Sequence, residues 1–159
     1  MTPRLRKLAL TAHIASSVGW FGAVLTFLAM AIIGVTTQDD HVVRAVNLTA
    51  KPVVWYVVLP FAVASLLTGL ISSLGSAWGL LRHYWVIFKL MLNIFATAVL
   101  LIYTRTVDRF AAVAADPAAD LTLLRTPTFV LHAAGALVVL AVAMVLAVYK
   151  PRGVTGLRI

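Results

Sequence analysis

The sequence has no cysteine, which excludes a disulfide framework, a thiolate metal site, an iron–sulfur cluster and thiol chemistry. Charge is also scarce. Only 11% of the 159 residues are charged and only five are acidic, whereas a soluble domain devotes about a quarter of its residues to charge. Aspartate supplies all five acids; glutamate is absent. What the chain has instead is apolar surface, 62% of residues with a mean hydropathy of +1.02. No aqueous core of this size takes up that excess, so a soluble globule and a disordered tail are excluded. The formal charge of +8 does not point to nucleic acid, because basic residues gather at the ends of apolar segments. That placement is how membrane proteins orient themselves.

A bilayer core about 30 Å thick is crossed by about 20 apolar helical residues. Leu8 to Gln38 contains no charged residue, and its apolar part runs to about Val35. A second uncharged run extends from Pro52 to Leu81, a third from Tyr84 to Thr104 broken only by Lys89, and a fourth from Thr126 to Tyr149. The expected fold is all-α: one membrane domain over residues 1–159, a four-helix transmembrane bundle with spans near 8–35, 52–74, 84–105 and 127–149. The first run is too long for a signal-peptide core and lacks a small-residue cleavage site, so it reads as a retained helix.

Charge sets the orientation. One side collects Arg4, Arg6, Lys7, Arg82, Lys150, Arg152 and Arg158 with no acid. The other balances Arg44, Lys51, Arg105, Arg109 and Arg125 against Asp39, Asp40, Asp108, Asp116 and Asp120. The positive-inside rule then puts both termini in the cytoplasm of a cell whose inner (plasma) membrane holds the protein. On the outer side, helix three is expected to project over Arg105 to Ala115, and Asp116-Pro117 is a cap-and-first-turn pair for a short helix toward Arg125. Pro60 is expected to kink the second span. Asn47-Leu48-Thr49 matches the glycosylation sequon, a match frequent by chance that carries no weight here.

Polar groups inside hydrocarbon are costly, so each is a candidate for function. His13, Ser16, Ser17 and Trp20 share one face of helix one, and Trp85, Lys89, Asn93 and Thr97 form a stripe on helix three. Helix two carries Ser65, Thr68, Gly69, Ser72 and Ser73, a pattern more often used for close helix packing. With a 1.5 Å rise per residue, His13 lies about 8–10 Å and Lys89 about 7–8 Å inside the same face. His132 starts from the opposite face, on the order of 10 Å or more away in depth, a poor axial partner for one haem with His13. Trp55, Tyr56 and Tyr103 are placed to surround His132, or to form an aromatic belt. Lys89 has no carboxylate in any span. It therefore snorkels to the surface, is neutral, or meets an anion such as a lipid phosphate, a haem propionate or a substrate carboxylate.

Two patterns resemble known families. Leu10-Thr11-Ala12-His13-Ile14 followed by Trp20-Phe21-Gly22, and later Trp85-Val86-Ile87-Phe88-Lys89, resemble the HemJ-type protoporphyrinogen oxidases and the CopD-like copper-resistance proteins. Thr126-Pro127-Thr128 before a run ending Tyr149-Lys150-Pro151 is similar to the HemJ-type last helix. The whole chain resembles small bacterial four-span membrane proteins of unknown function. The HemJ-type resemblance implies a b-type haem or related tetrapyrrole, with His13 ligating haem iron, Lys89 beside it, and Trp20 and Trp85 lining the site. Electron transfer or porphyrinogen oxidation would follow. The chain departs from that pattern: Ala31-Ile32-Ile33-Gly34 stands where the family carries a second histidine, and Tyr103-Thr104 where it places another. CopD-like copper binding would rest on Met30, Met91 and Met144 alone.

The other reading is a module without catalysis or cofactor, binding membrane lipids, a small molecule, a second copy of itself or a membrane partner, and no nucleic acid. A transporter fits least, because no span carries the acidic relay of proton coupling.

Overall fold

Helix is the one regular element these apolar runs build. In the computed structural model, which describes residues 1–75 and 79–156, helix α1 spans Pro3–Thr36 and α2 spans Asp40–Val53. A π-helical turn follows at Val54–Val58 and leads without a break into α3, Leu59–Leu74. Helix α4 spans Tyr84–Ala115, a 3₁₀ turn covers Leu121–Arg125, and α5 spans Thr128–Tyr149. Four of these helical stretches are long and apolar enough to cross a membrane. The start of α1 and the end of α5 lie at one end of the bundle, called here the terminal end, and the 37–40 and 116–127 connections lie at the other, the loop end. Arg158, counted above with the basic side, lies outside the described residues.

Several boundaries differ from expectation for physical reasons. Helix α1 begins at Pro3, with Thr2 as its cap, so Arg4, Arg6 and Lys7 lie within the helix, ahead of the span expected from about residue 8. The second helix starts at Asp40, not Pro52. Its first fourteen residues are not apolar on average, but Val43, Val46, Asn47 and Ala50 recur at the helical period and are buried. Asn47 is 2% exposed and its Nδ2 donates to the Val43 carbonyl, so the sequon is inaccessible. Helix α4 does project to Ala115. Asp116 closes α4 instead of opening a helix, and Asp120 caps the 3₁₀ turn, its carboxylate accepting from the Thr122 N–H.

Pro60 acts through the π turn that precedes it. Its ring would collide with the carbonyl four residues back in an α-helix, and widening the turn removes that conflict. The Leu59 N–H accordingly bonds to the Val54 carbonyl, five residues back.

Packing sets which faces can meet. Helix α1 lies against α3 and α5, and α4 lies against α2, α3 and α5. Helices α1 and α4 therefore stand on a diagonal with no direct backbone approach among the described residues. The shared core contains Trp20, Val24, Phe27, Val54, Val58, Phe110 and Phe129. The loop end is fastened by two arginines. Arg44 donates to the carbonyls of Ala114, Asp116, Pro117 and Ala119; Arg125 donates to those of Thr37 and Gln38 and pairs with Asp40 at 2.7 Å.

Candidate functional site

Serine and threonine bring α1 and α3 together near the terminal end. Ser17 Oγ lies 2.8 Å from Ser65 Oγ, and Ser16 Oγ lies 3.1 Å from Thr68 Oγ1. Gly69 completes the approach: a Cβ there would stand 2.9 Å from His13 Cε1. The imidazole thus rests in the space that glycine leaves.

Hydrogen bonds fix the tautomer of His13. Its Nδ1 is 3.1 Å from the Ser65 carbonyl, which only accepts, and 3.3 Å from Thr68 Oγ1. The Thr68 hydroxyl donates to the Ala64 carbonyl at 2.6 Å. Nδ1 must therefore carry the hydrogen, and Nε2 keeps its lone pair. Lys89 Nζ, arriving from the diagonal helix, lies 3.3 Å from that Nε2 and donates to it. The lysine does not run out along its own helix toward the surface. His13, Ser16, Ser17, Lys89, Ser65 and Thr68 thus form one contiguous network.

The other residues named with it are placed differently. Trp20 is 2% exposed and belongs to the apolar core, two turns along α1 from His13. Trp85, one turn before Lys89, has its ring 6.5 Å from that of His83. Asn93 and Thr97 continue the α4 stripe, each donating to the carbonyl four residues earlier, at Lys89 and Asn93.

The Nε2 through which His13 would ligate a haem iron is the atom that Lys89 meets, so ligation there requires the lysine to withdraw. The ring does have the anchored Nδ1–H of a good ligand. Iron, however, would sit about 2 Å from Nε2, by analogy with metal–imidazole distances, and the Lys89 ammonium stands where it would go. Among the described residues no three histidine or acidic side chains gather as a metal site.

A cavity of about 330 Å³ lies nearer the loop end, between α4 and α5, and its lining includes neither His13 nor Lys89. Phe27 and the π-turn residues Val54 and Val58 form its apolar back, while Tyr103, His132 and Gly135 stand on its α4 and α5 sides. The Tyr103 and His132 rings stack at 3.7 Å. Tyr103 Oη is 2.9 Å from Thr128 Oγ1, and His132 Nδ1 is 2.9 Å from the Thr128 carbonyl. That carbonyl claims the Nδ1 hydrogen, which leaves Nε2 of His132 as an acceptor with no partner among the described residues. Of the aromatics expected around this histidine, Tyr103 is there. Trp55 instead donates to Asp108 at 3.1 Å, and Tyr56 is 80% exposed.

Composition hid this cavity. Its walls are the same Val, Leu, Phe and Ala that fill the core, and the π turn leaves no residue signature beyond Pro60. Gly135 was the available signal: a Cβ there would meet nothing within 4 Å, so the glycine is not required by close helix packing.

Compared with protein-family models, with curated proteins and with solved structures, the chain matches none.

Proposed function

We propose that this chain is a multi-pass protein of the inner (plasma) membrane, termini in the cytoplasm, that binds a lipid-soluble small molecule in its bundle without catalysing a reaction. Four apolar helices and the one-sided distribution of basic residues support the placement. The cavity between α4 and α5 carries the ligand reading. Its size is at the low end for organic ligands, which suits a one- or two-ring molecule or a single acyl chain and is too small for a tetrapyrrole. A π turn in its wall is a feature that recurs at functional sites. The free acceptor of His132 adds one polar point of recognition for a hydroxyl donor.

Binding of 1-naphthol, a fluorescent bicyclic phenol, to the detergent-purified protein tests this. Saturable binding is expected. Gly135→Phe, which puts a ring on the cavity lining at a position where a Cβ meets nothing within 4 Å, is expected to weaken it by about tenfold or more, some 1.4 kcal/mol. Non-saturable partitioning, or equal binding by wild type and Gly135→Phe, would overturn the reading.

A further inference from the structure

Lys89 presents a separate problem, independent of the cavity. As an ammonium it has three donors, and its one hydrogen-bond partner among the described residues is Nε2 of His13. All five acidic residues lie toward the loop end, and both ion pairs there, Lys51–Asp108 and Arg125–Asp40, exclude it. His13 adds no negative charge, since its Nδ1 hydrogen is committed to the Ser65 carbonyl. A half-buried cation is thus held inside the bundle with two donors unassigned and no counter-charge among the described residues. Leaving a charge unpaired there costs several kcal/mol.

A second unmatched donor lies on α3 toward the terminal end. Ser72 Oγ is buried without a partner among the described residues, on the α3 face that carries Ser65 and Thr68, one turn nearer the terminal end. Beyond it, Arg4, Arg6, Lys7 and Arg152 stand at the terminal end and raise the local concentration of anions. From these observations we propose that Lys89, held across the bundle by His13, anchors a binding site for a phosphate group. His13 positions the amine; Lys89 supplies charge and two N–H donors; Ser72 offers a hydroxyl. The phosphate is that of a phospholipid headgroup in the adjoining leaflet or a free phosphate from solution.

Calorimetric titration of the delipidated, full-length protein in dodecyl maltoside distinguishes the sources. The probes are inorganic phosphate, dihexanoylphosphatidylglycerol and dihexanoylglycerol, which has the same chains without phosphate. Binding of the phosphatidylglycerol but neither other probe supports a headgroup site; binding of inorganic phosphate as well supports a free-phosphate site. Equal binding of all three, or of none, overturns the proposal. Lys89→Met is expected to weaken phosphate binding by about tenfold or more, and Lys89→Arg, which keeps the charge, by far less. Wild-type affinity in Lys89→Met overturns it. A measurement on the unaltered protein guards against misfolding of the variant: acetylation of Lys89, read by mass spectrometry, should slow several-fold under a saturating phosphate probe. An unchanged rate overturns the proposal.

Discussion

Gly69 holds the place of the His13 ring: the Cβ it lacks would lie 2.9 Å from Cε1 and 3.3 Å from Nδ1 of the imidazole. A methyl group there pushes the ring away from the Ser65 carbonyl and from Lys89. Overpacking of this kind costs about 1–3 kcal/mol, more than the roughly 1 kcal/mol of helix propensity that alanine gains over glycine. Gly69→Ala is therefore expected to lower the thermal midpoint in detergent. Gly22→Ala, where a Cβ meets nothing within 4 Å, is expected to leave it unchanged or raise it. Equal midpoints for the two variants would contradict the packing argument.

The Ser17–Ser65 contact is short, at 2.8 Å, yet its net contribution is expected to be small. Hydrogen bonds between membrane helices average about 0.6 kcal/mol in double-mutant cycles, because the unfolded chain in the membrane finds other partners. A cycle of Ser17→Ala, Ser65→Ala and the double variant, read by unfolding in mixed micelles, should give a coupling of roughly that size. A coupling above about 2 kcal/mol would mean that this pair, rather than apolar packing, fastens α1 to α3.

The run of apolar residues announced the four long helices; α5 ends at Tyr149, where charge and proline return, whereas α3 ends at Leu74 with Gly75 as its cap, well before charge returns at Arg82. Depth was also legible: counting residues from the basic ends put His13 and Lys89 at one level, and they touch. Azimuth was not. Nothing in the spacing says that α1 and α4 are diagonal, so that only a side chain as long as lysine reaches the histidine. The start of α2 was lost because a membrane reading looks for uniform apolarity, while that segment buries one stripe at the helical period. Asp116 and Asp120 both precede turn-forming sequence. Which one caps is decided by where α4 ends, and that depends on tertiary packing of Phe110, Ala111 and Ala114.

Asp120 gives a pH dependence at the loop end. Its carboxylate accepts from the Thr122 N–H at 2.9 Å and from the Thr122 hydroxyl at 2.7 Å. These bonds favour the ionised form and hold its pKa below the usual aspartate value. A depressed carboxylate stabilises the fold above the unfolded pKa and ceases to do so as pH falls through the folded one. The Thr122 amide resonance should therefore titrate with a midpoint below that of an ordinary aspartate, and Asp120→Asn should abolish the transition. A midpoint at or above the ordinary value would show that the cap does not persist in solution.

Arg44 reaches further than any other side chain at this end, since its two terminal nitrogens bond to four carbonyls spread over residues 114–119. Those carbonyls belong to the last turn of α4 and the segment after it, where the helix no longer supplies donors. A guanidinium satisfies them together because its N–H groups fan out in one rigid plane; an ammonium concentrates its donors at a point. Arg44→Lys is thus expected to behave more like Arg44→Ala than like wild type. Hydrogen exchange at Ala118 and Ala119 should be faster in both variants, while protection in the middle of α4, around Ala96 and Thr97, stays unchanged. If lysine restores full protection, positive charge rather than donor geometry holds the segment. The carboxylate of Asp116, whose own Oδ1 accepts from the Ala118 N–H at 2.9 Å, would then be the group that charge engages.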